Sequence, residues 1–393
     1  MTAIQVPLTH TPDYDGAGIV NLMSSIARGR GADPGPYAPS TQLDDLDLAR
    51  FRHVVLLVID GLGYDYLVGQ FPDSALSRYL RGPLTSVFPT TTAAAITTFL
   101  TGQAPAQHGL TGWHIWLEPL REVVAVLPFR SRVGSEDLST RGYDLEALLE
   151  PRPLFPLMDV ASHVVTPQRI AHSTFNTAFT RGASTHPFRS LDGMYRQVSS
   201  LCAQSSASYV YAYWPELDHL GHERGIASEE ARRHFLEIDT GFRKLVTALG
   251  GTETLLLVTA DHGVVDTTPD SWIRIEQHPE LVAMLDVPLC GEPRAAYCYI
   301  HDGEAAAFQA YMQTELNQQV QVVASADLLA AGIFGPGKPH PGLTSRVGDF
   351  TVLPTAQHAI VDRVGNERGL NLVGVHGGLS SAELHVPLIV VEP

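Results

Sequence analysis

Three apolar runs limit what this chain can fold into, because each stops at, or a few residues before, an aspartate. They are Val54–Ile59 in FRHVVLLVIDGLG, Tyr209–Trp214 in SASYVYAYWPELDHLGH, and the run ending at Asp261 in TLLLVTADHG. Continuous runs of this length read as strands buried on both faces. Between the second and third lies a helical pattern, with Ala231, Phe235, Ile238, Phe242, Leu245 and Leu249 recurring at intervals of four and three. Ser228 can cap it, Glu229 and Glu230 suit its positive end, and Gly250-Gly251 closes it. Strand, helix and strand at this spacing form a parallel crossover unit. The expected fold is therefore α/β, a mostly parallel central sheet flanked by helices. Ligands of such sheets collect beyond the carboxyl ends of the strands, where Asp60 and Asp261 stand and Asp218 follows closely.

A chain of 393 residues can bury a large core. The pattern assigns residues 1–270 and 366–393 to the α/β core, with a divergent pocket-shaping region at about 115–200. Residues 271–365 read as a small α+β lid insertion: strand Ala296–Ile300, helix Glu304–Leu316, strand Val320–Val323, then DFTVLP and HAIVD. The stretch after Pro215 reads as a polar loop. Acids outnumber bases 42 to 26, so no basic stripe for a nucleic-acid polymer is expected. No run approaches the roughly 20 apolar residues of a membrane span. The three cysteines, Cys202, Cys290 and Cys298, form neither a disulfide framework nor a zinc ribbon. The first residues lack the basic and apolar regions of a secretion signal, so a cytoplasmic protein is expected.

Chemistry concentrates in a few places. VFPTTTAAAITTFLTG sets three hydroxyls, Thr90 to Thr92, at the start of a helix expected from Ala93 to about Thr101, with Gly102 as its C-cap. Asp60 follows the first strand, DHLGH supplies Asp218 and His222, ADHG supplies Asp261 and His262, and VHGG supplies His376. Three carboxylates, three imidazoles and a hydroxyl suit Zn²⁺, and suit Mn²⁺ or Fe²⁺ less well. His114, His219, Asn176, Lys338 and His340 are further pocket candidates.

The stretches VVLLVIDGLG, FPTTTAAAITTFLTGQAPAQHGLTGW, WPELDHLGH, VTADHG and GVHGGLSSAELHVPLIV resemble the alkaline phosphatase superfamily, and within it the type I phosphodiesterase/nucleotide pyrophosphatase family. The resemblance implies two divalent ions, zinc above all. Asp60, Asp261 and His262 would hold one with the nucleophile oxygen, and Asp218, His222 and His376 the other. Counting back from Gly102 makes Thr92 the implied nucleophile, while Thr90 and Thr91 stay open on the residues alone. It also implies a small phosphate-ester substrate cleaved through a phospho-threonine intermediate. Two departures stand out: Ala93-Ala94-Ala95 replaces the family's Phe-Pro-Asn, and Trp113 fills the slot of a phosphate-binding asparagine. Trp113 is thereby a candidate substrate contact, through its single indole N–H or as a pocket wall. The alternatives are a phosphomonoesterase or phosphonate hydrolase with the same metals, and, from another class, a metal-bound inert binding protein.

Overall fold

The structure is a computed structural model describing residues 8–33, 35–365 and 372–393. The core is a seven-stranded sheet: β1 (His53–Ile59), β2 (Leu80–Thr85), β3 (Ala161–Pro167), β4 (Ser184–Phe188), β5 (Ser208–Trp214), β6 (Thr254–Thr259) and β7 (His385–Val391). Their spatial order is β2-β7-β6-β1-β5-β3-β4. β1 pairs in parallel with β5 on one side and β6 on the other, and β5, β3 and β4 continue in parallel. Only β7 runs against its neighbours β6 and β2. Every residue of β1, β5 and β6 is buried, which is why their sequences show no alternation.

Three helices matter for the site: α1 (Thr92–Thr101), α2 (Glu216–Arg224) and α3 (Glu229–Leu249). The Ser228 side chain accepts from the Ala231 N–H to start α3, and the expected apolar stripe is buried in full. It forms the crossover from β5 to β6, whose strands flank β1. α2 replaces the expected polar loop. Only Leu217, Asp218 and Gly221 of its residues are buried, so it carries no apolar stripe for periodicity to reveal. The 115–200 stretch also supplies two core strands, β3 and β4. The half-exposed edge strand β4, with Pro187 inside it, gives little strand signal.

A second, antiparallel sheet orders its strands Val320–Ala324, Phe350–Pro354, Ala295–Ile300, Leu285–Glu292, His114–Leu117, Glu122–Ala125 and Arg130–Ser131. It joins two separated parts of the chain, because the Trp113 side of the molecule meets the 285–354 segment through the Gly291–His114 pair. Ala359–Val361 instead pairs in parallel with Trp272–Arg274. The boundary expected at residue 366 lies outside the described residues. Among the described residues, no helix is long and apolar enough to cross a membrane.

Candidate active site

The carboxyl ends of β1, β5 and β6 converge on one edge of the sheet. Asp60 follows β1, its N–H donating to the Trp214 carbonyl at the end of β5 (2.9 Å). Gly61 holds φ +76°, and a Cβ there would come within 2.9 Å of the Asp218 backbone, so glycine lets α2 approach the β1 end. Asp261 and His262 follow β6. Asp261 Oδ1 accepts from the N–H groups of Gly61 (3.2 Å) and His262 (3.0 Å). On α2, Asp218 and His222 stand one turn apart, with Oδ2 and Nε2 separated by 3.1 Å. His376 arrives from the loop before β7 and stacks on His262, ring centroids 3.7 Å apart.

Each imidazole is fixed by its Nδ1. His222 donates to the Gly374 carbonyl (2.8 Å), His262 to the Gly263 carbonyl (3.1 Å) and His376 to the Thr90 carbonyl (3.0 Å). A carbonyl only accepts, so Nδ1 carries a proton in each ring, and Nε2 offers its lone pair to the site whenever a bound cation keeps the ring neutral. Facing them, Asp60 Oδ1, Asp218 Oδ1 and Asp261 Oδ2 are buried without a hydrogen-bond partner among the described residues. Nε2 of His262 lies 3.4 Å from both Asp60 Oδ1 and Asp261 Oδ2, and Nε2 of His376 lies 3.9 Å from Asp218 Oδ1. Buried, unpaired carboxylate oxygens are costly unless a cation meets them. This donor set of carboxylate oxygens and aimed imidazoles fits divalent metal ions.

The grouping differs in one respect from the implied partition. Asp218, His222 and His376 form one set with ligand atoms within 4.8 Å of one another, and Asp60, Asp218 and His262 form a second, so Asp218 reaches both. Asp261 stands beside the second set through its contact with His262.

The ion-free electrostatics show the same crowding. Burial pushes Asp60 well above the carboxylate range, and the charges of Asp261 and Asp218 push it further, against a hydrogen bond from the Tyr213 hydroxyl. Burial alone would pull His222 down, but the charge and hydrogen bond of Asp218 hold it at about 9. Asp218 is held low despite its burial, by His222 and His376. Burial drives His376 well below its ordinary value, with His262 adding to the effect.

The three threonines part company. Thr90 and Thr91 are fully buried. Thr90 Oγ1 donates to the Gly378 carbonyl (2.7 Å) and accepts from the Gly377 N–H (3.2 Å). Thr91 Oγ1 donates to Glu292 Oε1 (2.5 Å). Thr92, the first residue of α1, lines the cavity and places its hydroxyl 3.2 Å from His262 Nε2. The Thr91 side chain does not cap α1, and the Ala95 N–H is bonded to the Thr91 carbonyl (2.9 Å), so the first turn carries its positive end beside Thr92.

The cavity, about 1020 Å³, is lined by Asp60, Thr92, Asp218, His222 and His376. Trp113, His114, Asn176 and His219 also line it, whereas Lys338 and His340 do not. Asn176 donates to the Ala171 carbonyl (2.9 Å) from a buried position. His340 packs instead beneath Gly109 and beside Arg346. Trp113 is 37 % exposed at the cavity, and its backbone N–H donates to Glu292 Oε1 (2.6 Å). Two site residues escape a reading of the sequence. Tyr213 is legible only as a strand residue, and Glu292 reaches the site from the second sheet with no motif around it.

A sequence model of the type I phosphodiesterase / nucleotide pyrophosphatase family matches residues 54–379. The chain belongs to this family. It is accordingly a hydrolase of the phosphoester-cleaving kind, in the alkaline phosphatase superfamily. Comparison with curated proteins finds no match. Among solved structures, murine ectonucleotide pyrophosphatase/phosphodiesterase 5 is 18% identical, with 86% of this chain and 88% of that chain covered and a TM-score of 0.63. An inactive threonine-to-alanine variant of that mouse protein, in complex with AMP, is 17% identical over 86% and 87% of the two chains, TM-score 0.61. Phosphonoacetate hydrolase from Sinorhizobium meliloti 1021, in complex with phosphonoacetate, is 17% identical over 87% and 90%, TM-score 0.63. At these identities the likeness is one of fold.

Proposed function

We propose that this family member is a two-metal phosphohydrolase that cleaves phosphodiester or pyrophosphate bonds through a covalent phospho-Thr92 intermediate. The observation that carries the reading is the fate of three adjacent hydroxyls. Thr90 and Thr91 are committed to buried hydrogen bonds, and Thr92 alone opens to the cavity, 3.2 Å from His262 Nε2. Asp60, Asp261 and His262 with the Thr92 oxygen would hold one ion, and Asp218, His222 and His376 the other, zinc being the best match to mixed carboxylate and imidazole ligands. Such ions supply positive charge that lowers the pKa of the threonine hydroxyl and offsets charge on the phosphoryl group.

The protein's own groups do the rest. Thr92 Oγ1 attacks phosphorus, forming the Oγ1–P bond as the bond to the leaving oxygen breaks, and the hydroxyl proton ends on the leaving oxygen. The N–H groups at the start of α1 receive phosphoryl oxygens. Ala93, Ala94 and Ala95, all fully buried, pack the helix without side chains in the approach to Thr92. Water then displaces Oγ1 from phosphorus, returning the Thr92 hydroxyl and releasing phosphate or a phosphate monoester. Trp113 stands as a cavity wall or single donor in the asparagine slot, and the 271–365 segment acts as the cap that selects the leaving group. The AMP bound by the mouse variant supports a nucleotide-sized ester for a cavity of this volume. Three free, buried cysteines suit a reducing compartment such as the cytoplasm.

The test compares hydrolysis of a chromogenic phosphodiester and its monoester by zinc-reconstituted wild type, Thr91→Ala and Thr92→Ala. Intact-mass analysis of acid-quenched turnover reads the covalent adduct. The expected result is faster diester cleavage and a phosphoryl adduct on the Thr92 peptide, both absent in Thr92→Ala. Full turnover by Thr92→Ala together with loss in Thr91→Ala overturns the nucleophile assignment. Faster monoester cleavage moves the protein to the phosphatase branch.

A further inference from the structure

Glu292 ends the strand Leu285–Glu292 of the second sheet, yet its carboxylate is buried at the start of α1. One oxygen, Oε1, receives both the Thr91 hydroxyl (2.5 Å) and the Trp113 backbone N–H (2.6 Å). The third loop of the site also rests on this side chain. Gly377 holds φ +124°, and a Cβ there would lie 2.5 Å from Glu292 Cβ, so the residue after His376 has to be glycine for the loop to close over the glutamate stem. Glu292 thus sits where the turn bearing Thr92, the loop bearing Trp113 and the loop bearing His376 meet, and it also lines the cavity.

We propose that Glu292 is a positioning residue, a clamp from the second sheet that fixes the Thr92 turn against the Trp113 loop and so holds the nucleophile in line. The inference rests on the phosphohydrolase reading above. Among the described residues the Thr91 hydroxyl has no other partner, and Thr92 follows it directly, so freedom at Thr91 passes to Thr92 through one peptide unit. The bonds do not depend on the charge of the acid, because a carboxyl or an amide presents the same accepting oxygen. A displacement of about 1 Å at a reacting atom can cost roughly 10²-fold in rate, so a clamp of this kind acts on kcat rather than on ground-state binding.

The experiment uses the full-length, zinc-loaded chain with Glu292→Ala and Glu292→Gln, and Thr91→Val, which removes one of the two bonds while keeping the side-chain shape. Three readouts are taken: kcat and KM, zinc stoichiometry, and amide hydrogen exchange of the peptides containing Thr90–Ala95 and Trp113. In Glu292→Ala, kcat is expected to fall by roughly 10²-fold with KM within a few-fold, zinc unchanged and exchange faster at both peptides. Glu292→Gln, whose amide oxygen accepts the same bonds, recovers most of kcat and the wild-type exchange, and Thr91→Val falls between. Loss of zinc in Glu292→Ala, unchanged exchange in Glu292→Ala, or a glutamine variant as slow as the alanine variant overturns the clamp. If wild type turns over neither ester, the phosphohydrolase reading fails, while hydrogen exchange still decides whether Glu292 fixes the two segments. Should Glu292→Ala not fold, the kcat and exchange of Glu292→Gln against Thr91→Val decide it instead, and equal behaviour of the two counts against it.

Discussion

Replacing Glu383 by alanine is expected to destabilise the protein far more than a surface substitution would. Glu383 is completely buried and Arg294 is 2 % exposed. The guanidinium reaches the carboxylate through two bonds, 3.1 and 2.8 Å, and also donates to the Ala356 (2.8 Å) and His358 (2.6 Å) carbonyls. The carboxylate in turn accepts from the Gly378 N–H (2.8 Å) and the Ser380 hydroxyl (2.5 Å). Removing it leaves a cation in a dry site, a loss of about 3–5 kcal/mol. Unfolding entropy near 60 °C is about 2.1 cal/mol/K per residue, or roughly 0.8 kcal/mol/K for 393 residues, so Tm should drop by about 4–6 °C. Thermal scanning of the metal-free and zinc-loaded protein reads the shift. The double variant Arg294→Met/Glu383→Leu removes the orphaned charge and should lose less than Glu383→Ala alone. A shift below about 1 °C in Glu383→Ala, or a double variant no better than the single, refutes the argument that an uncompensated buried charge sets the cost. The consequence extends to the site, because Gly378 follows His376 closely and the Gly263 N–H is bonded to the Glu383 carbonyl (2.9 Å).

Tyr213→Phe removes the hydroxyl that donates to Asp60 Oδ2, and metal affinity measured by competition with a chelating dye should weaken about 10–100-fold. An unchanged affinity would remove Tyr213 from the support of the site. The metal-free protein should lose stability as pH rises from about 6.5 through about 9, because the folded protein raises the His222 pKa and its stabilisation, complete below the unfolded value, disappears on passing the folded one. Thermal melts in chelator check this, and a Tm that holds or rises across that window contradicts it. Chelation of wild type should abolish ester hydrolysis and zinc should restore it; turnover persisting in the confirmed metal-free protein would exclude the two-metal reading.

The parts of this molecule that were legible in the sequence are those whose physics is local. β1, β5 and β6 are buried on both faces, and so spell out unbroken apolar runs. α3 is half-buried, and so spells out its stripe. Asp60 and Asp261 were legible because a strand end followed by an acid is itself a local pattern. The polar helix α2 was not, since its helicity is stabilised by the Asp218–His222 pair and the His222 bond to Gly374 rather than by an apolar face. Nor were β3 and β4, where Ala161, His163 and half-exposed Ser-Thr-His-Pro residues dilute the strand signal.

The same distinction separates the cavity residues that a local pattern marks from those that it does not. The hydroxyl cluster announced a site, but its residues alone could not separate Thr90, Thr91 and Thr92, because the separation is made by partners far along the chain. Thr90 is held by Gly377 and Gly378, and Thr91 by Glu292, which lies 201 residues away. Glu292 is the last residue of an ordinary strand and has no neighbour in sequence that marks it; the pairing of Gly291 with His114 and its own bonds to Thr91 and Trp113 place it at the site. The substitution of Trp113 for the expected asparagine takes on meaning through the same contact. Its backbone is tied to the acid that also receives the Thr91 hydroxyl, so this slot joins the second sheet to the turn that bears Thr92. On the proposed clamp, substitutions in the strand Leu285–Glu292 are expected to lower kcat with zinc content unchanged.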